Sequence, residues 1–326
     1  MDAATLGEWS RYVVSGAVAA FMVAWLAYCA ETAYLVRTAR AATVADRERV
    51  LAGAAADLDS RPGPVADPPT ARPGQAGPVR QMASIGFSVS VLATALLAVG
   101  VVMRAIAVSR APWGNMYEFS ITAALVASVV FLAVARTKAG RALAVWVVLL
   151  IFMTLALAAT VLYVAPGPLL PALRSYWLVV HVGAAVTAFG LFTVAAVVSA
   201  LQIVAERAER KGVSGGFASV LPTSTKLDRL SYRLITAAFP VWTFGPLILG
   251  AIWAEASWGR YWGWDPKEVW ALITWLAYAA FLHARATAGW RGSKASAVSL
   301  VAYGTLLFSY YGVNVFFSGL HAYGGL

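Results

Sequence analysis

Eight stretches of this chain are apolar for about twenty residues or more, and that pattern restricts the fold more than any other feature. They run over roughly 12–36, 83–108, 116–135, 141–164, 176–205, 231–254, 268–288 and 295–318. In lipid every backbone polar group must find its partner inside the chain, and a helix is the single-segment solution. A soluble domain carries charge on about a quarter of its residues, whereas here 12% are charged, 60% are hydrophobic and mean hydropathy is +0.72. The expected fold is therefore all-α, a polytopic integral membrane bundle of about eight transmembrane helices. In 326 residues no separate soluble domain fits.

A net charge of +10 could signal nucleic acid, but Lys and Arg form no run and fall between the apolar stretches. That is a topology pattern, so no nucleic-acid partner is expected. Alternate connections hold nineteen Lys and Arg on one side and six on the other. By the positive-inside rule both termini then face outward, in a multi-pass protein of the cell (plasma) membrane. The segment before the first apolar stretch lacks the basic start of a cleavable leader, so 1–36 reads as a retained first span. Residues 37–80 hold six of the fourteen prolines among Ala, Gly and both signs of charge, and are expected to be a disordered cytoplasmic linker. The remainder, 81–326, reads as one transmembrane domain with an external loop at 253–270. Span six carries Pro240, Gly245, Pro246 and Gly250, which predicts a kinked helix able to shape a cavity. Cys29 stands alone, so no disulfide, CxxC pair or CxxCH attachment site can be built.

The external loop concentrates the chemistry. Six of thirteen tryptophans lie within the 23 residues from Trp253 to Trp275. An interfacial aromatic belt explains one or two Trp at a span end. It does not explain a run in which Trp258, Tyr261, Trp262, Trp264 and Trp270 are interleaved with Gly and with Asp265, Pro266, Lys267 and Glu268. Small residues between flat rings make a platform for another flat molecule.

The three histidines lie at telling depths. His181 sits about 7 Å below the outer end of span five. His321 follows span eight in a Gly-rich tail on the same side. Two neutral imidazoles across an aromatic cleft suit the axial positions of a haem iron, with haem b as bound ligand and substrate. Trp258, Tyr261, Trp262, Trp264, Asp265 and Trp270 are the candidate contacts. His283 lies roughly 22 Å into span seven, in the inner half of the membrane, where an ionisable group usually marks a ligand or pathway. An electron-transfer cytochrome b would need two His pairs on facing helices, which three histidines at these depths do not supply.

The stretch Tyr232 to His321 closely resembles the CcsA/ResC proteins of System II cytochrome c biogenesis, above all from Trp258 to Trp275. These are called CcsB in some lineages and belong to the superfamily marked by the Trp-rich "WWD" loop. The likeness is weaker over Pro112–Glu118 and Tyr176–His181, and absent from span one and the linker. The resemblance implies that His181 and His321 ligate an external haem. It also implies that His283 helps hold haem in a transmembrane site, with the second ligand on a ResB/CcsB-type membrane protein that is fused in some members and is not in this sequence. The implied activity is that of a holocytochrome c synthase acting with that partner: haem is delivered outward and attached to the CxxCH of apocytochrome c, with a thiol-reducing pathway protein as a further partner. The other expectation is a haem exporter or chaperone without the attachment chemistry.

Overall fold

The computed structural model describes residues 2–58, 76–167, 174–213 and 215–321. Among them eight long helices form the bundle: α1 Ala3–Leu58, α2 Ala76–Ala107, α3 Met116–Ala135, α4 Ala144–Thr160, α5 Tyr176–Arg210, α6 Ser224–Trp258, α7 Pro266–Thr287 and α8 Ser293–Phe316. Seven are long and apolar enough to cross a membrane. The eighth, α4, has 17 residues, about 25 Å at 1.5 Å per residue, and lies at the short end of spanning length. The chain is a polytopic helical membrane protein.

Local chemistry sets the helix ends. Asn115 accepts the Glu118 amide at the start of α3, and Ser175 accepts that of Trp177 at the start of α5. Helix α6 stops at Gly259, whose left-handed φ of 71° needs a residue without Cβ. Helix α7 opens with a full capping box, Asp265 and Glu268 each binding the other's end of the first turn, with Pro266 where its missing N–H costs nothing.

Two expectations are corrected here. The linker expected over 37–80 is helical from 37 to 58, where α1 continues unbroken, and again from 76. The physical reason is that the prolines begin only at Pro62, while the preceding stretch is rich in Ala and Arg, both strong helix formers. The central part of that segment, 59–75, lies outside the described residues. The external loop is also shorter than 253–270: α6 runs to Trp258 and α7 starts at Pro266, so only 259–265 lies outside a helix.

Helix α5 is the hub, packed against α3, α6 and α8, while α1, α2 and α4 cover the far side of α3. Close approach rests on small residues: a Cβ on Gly190 would meet Val126 at 2.6 Å, which brings α5 against α3. Mid-bundle, Ser199 bonds Ser231 at 2.6 Å and Ser299 at 3.1 Å, joining α5, α6 and α8 without a charge. At one end of the bundle Arg285 forks onto Asp228 at 2.7 and 3.0 Å. The site lies at the other end.

Two breaks in helical register shape that site. Thr243–Leu249 in α6 and Phe308–Gly312 in α8 are both π-helical. In α6 Pro246 cannot donate to Trp242, and the widened turn absorbs the loss, which accounts for the distortion predicted for span six.

Candidate functional site

A cavity with about 1050 Å3 of empty space, counted to its mouth, opens between α3, α5, α6, α7 and α8. Both π segments border it, through Pro246 on one side and Ser309 and Tyr310 on the other. Its walls are largely aromatic: Trp113, Phe119, Phe189, Trp242, Trp253 and Trp262. Lys267 lines it as a cation, with Nζ 5.5 Å from the Tyr310 ring centre.

His181 and His321 both line this cavity, so α5 and the tail after α8, far apart in sequence, meet there. Each ring is turned by a bond at Nδ1. His181 Nδ1 lies 3.0 Å from the Gly245 carbonyl, inside the π segment. His321 Nδ1 lies 2.7 Å from Asp265 Oδ1. An acceptor at Nδ1 places the proton there and leaves Nε2 as the basic nitrogen, the tautomer a metal requires. The Trp253 ring, 1% exposed, sits beside both imidazoles, with centres 5.7 Å from His181 and 5.4 Å from His321. It stacks on the face of His181 at 9°, and a ring that stacks through its face still coordinates through its edge. A Cβ on Gly250 would lie 2.9 Å from His181 Cε1, so that glycine makes room for the ring.

Asp265 acts one step behind the cavity. Besides His321 it accepts the Lys267 amide at 3.0 Å and the Leu320 amide at 2.6 Å, tying the tail to the first turn of α7. Burial alone would raise its carboxyl, but the bonds from His321 and the two amides hold it below the ordinary carboxylate range. Gly319 permits this approach, since a Cβ there would come within 2.5 Å of Asp265 Oδ2.

The other candidates divide. Trp262 and Tyr261 line the cavity, Tyr261 at its exposed rim. Trp258 stands against Trp253 and against His321, its centre 4.9 Å from the imidazole. Trp264 is 71% exposed, edge-on to Trp262, with a left-handed φ of 58° that is strained for a bulky residue. Trp270 packs on Phe308 at 4.2 Å, under the π segment of α8. The gap at Gly263 is filled by the Arg260 guanidinium rather than left open. His283 is elsewhere, exposed on α7 about 26 Å along the helix.

Sequence reasoning missed the support beneath the site. Glu118, fully buried, accepts Arg104 Nε at 2.9 Å, Arg110 Nη1 at 2.7 Å and the Gly114 amide at 2.8 Å. This fixes the Trp113-Gly114-Asn115 wall of the cavity. The available signal was an acid inside an apolar stretch, with arginines just before it. The Gly245 carbonyl had no such signal, because a backbone acceptor is invisible in sequence.

Among the described residues no three His, Cys, Asp or Glu side chains form a metal cluster. Two imidazoles alone suit a metal that brings its other donors with it, as a porphyrin iron does. The aromatic walls and the Nδ1 bonds fit that group.

Fold and site together define a polytopic membrane protein with paired, oriented imidazoles over an aromatic cavity. The chain belongs to the cytochrome C assembly protein family, whose model matches residues 113–321, from the Trp113 wall to His321. The cytochrome c biogenesis protein CcsA of Synechococcus sp. (strain CC9902) is 41% identical over 179 residues, covering 48% of this chain and 59% of that protein. CcsA of Chlamydomonas reinhardtii is 40% identical over 158 residues, covering 43% of its own length. CcsA of Prochlorococcus marinus is 34% identical over 259 residues, covering 71% of this chain and 81% of the relative. The chain thus spans about 59% of the length of the first cyanobacterial relative, and most of the last.

Proposed function

We propose that this chain is the haem-handling subunit of a cytochrome c synthase, holding haem b between His181 and His321 and presenting it beside Trp258, Tyr261, Trp262 and Trp264 to the CxxCH of apocytochrome c. The observation that carries the reading is the pair of imidazoles on one aromatic cavity, each with Nδ1 already engaged. The substrate chemistry is addition: each cysteine S–H crosses one haem vinyl C=C, sulfur to one carbon and hydrogen to the other, and nothing leaves. No protein nucleophile is needed, so this chain's side chains position the reactants, exclude water and place charge. Lys267, lining the cavity, supplies a cation for a propionate, and Asp265 orients His321.

On the same reading the cavity end faces the extracytoplasmic side, as the charge count of the connections indicates. His283, exposed on α7, is one ligand of an inner haem site completed by a ResB/CcsB-type membrane protein. A thiol-reducing protein keeps the CxxCH cysteines reduced. The test mixes the purified, haem-loaded complex with a CxxCH apocytochrome peptide and asks whether haem becomes covalently attached. Covalent haem is expected. Transfer that remains extractable by acid acetone identifies a carrier instead.

A further inference from the structure

We infer that the two imidazoles are unequal ligands: Asp265 makes His321 the persistent axial ligand, and His181 is the exchangeable one whose place an incoming histidine takes. This rests on reading the cavity as a haem site. The asymmetry is in the acceptors. His181 donates to Gly245 O at 3.0 Å, a neutral carbonyl that also takes the Gly250 amide. His321 donates to a carboxylate at 2.7 Å, and a charge-assisted bond is roughly twice as strong as a neutral one. Pulling on the Nδ1 proton raises the basicity of the opposite nitrogen, so His321 is the stronger donor to iron.

The mechanics point the same way. Asp265 holds residue 321 by its ring and also holds the tail just before it through the Leu320 amide. Asp265 is in turn fixed by the first turn of α7, where it is the cap. A helix terminus therefore sets the carboxylate, and the carboxylate sets both the direction and the strength of one ligand. Attachment to a substrate histidine needs one vacated position while the iron stays on the protein. One strong and one weak ligand meet both needs. Asp265 is a positioning residue, since it acts on the iron only through His321.

The experiment uses the full chain loaded with haem, keeping any partner that co-purifies, and reads haem content, coordination spectrum and reduction potential. His181→Ala should keep most of its haem and regain a six-coordinate spectrum with imidazole, whereas His321→Ala should lose at least about tenfold more. Asp265→Asn should weaken retention about tenfold, the usual effect of losing such a partner, and raise the reduction potential. Because Asp265 also caps α7, the decisive comparison repeats Asp265→Asn in His321→Ala refilled with 1-methylimidazole, which has no N–H to donate to the carboxylate. There the potential should not move further. An equal shift in both backgrounds, or greater haem loss from His181→Ala than from His321→Ala, would overturn the inference. If neither histidine substitution alters the spectrum, the haem-site reading itself falls.

Discussion

Glu118 shows how one side chain can determine the shape of a site it does not enter. Fully buried between Arg104 and Arg110, it neutralises part of their charge and holds the Gly114 amide. Removing its charge leaves two guanidiniums facing a neutral amide, and breaking a buried pair costs about 3–5 kcal/mol. Glu118→Gln should therefore lower the unfolding temperature in detergent by several degrees or more and loosen the Trp113 wall. An unchanged unfolding temperature would show that the cluster is solvated and adds little. Gly250 offers the opposite case, a residue that matters for what it lacks. In Gly250→Ala the new methyl lies 2.9 Å from His181 Cε1 and must turn the imidazole away from Gly245. Haem retention should fall several-fold while the unfolding temperature of the haem-free protein changes little. Equal loss of both would mean that the helix, rather than the ring, was disturbed.

The two π segments carry the argument at the level of elements. A regular α-helix through 243–249 would close the widened turn in which the Gly245 carbonyl takes both the Gly250 amide and His181 Nδ1. Pro246 prevents that at a helix-interior cost of about 3 kcal/mol, the size of a typical proline penalty. Pro246→Ala restores a donor and lets the turn tighten, so stability should rise or hold while haem retention falls. Thermal unfolding and the haem spectrum, measured on the same sample, check the two halves separately; a fall in stability would locate the strain elsewhere. The distorted helix was legible from Pro240, Gly245 and Pro246 in one span. The matching break at Phe308–Gly312 was not, since Gly312 is the sole breaker there and the local sequence carries no proline. Spans were readable because length and apolarity are local properties. The helical state of 37–58 was misread because proline content was averaged over a segment whose first half contains none. His181 and His321 line one cavity, yet their partners, a backbone carbonyl and a carboxylate 56 positions away, depend on tertiary contacts that no spacing encodes.

Across the whole molecule, burial is uneven in a way that bears on assembly. The apolar window of α5 is 67% buried within the chain, whereas that of α7 is 17% buried and that of α6 is 22%. Helices α6 and α7 are therefore only partly covered by the rest of the chain, and His283 is among the exposed positions of α7, close to the helix end that carries Arg285. An ionisable ring facing hydrocarbon is costly, so a group at this place calls for a partner that covers it. If His283 is half of a shared haem site, the chain purified alone should lack inner haem and keep some outer haem. Co-expression with a ResB-type protein should restore both. His283→Ala should then remove the inner haem even with the partner present and starve the outer site, while His181→Ala should leave the inner haem in place. That order follows from delivery toward the cavity end, because a block upstream empties everything after it and a block downstream does not. Haem stoichiometry and the spectra of the co-expressed variants distinguish the two. Full loading of the isolated chain, or an inner site indifferent to His283→Ala, would show that the outward face of α7 meets lipid alone.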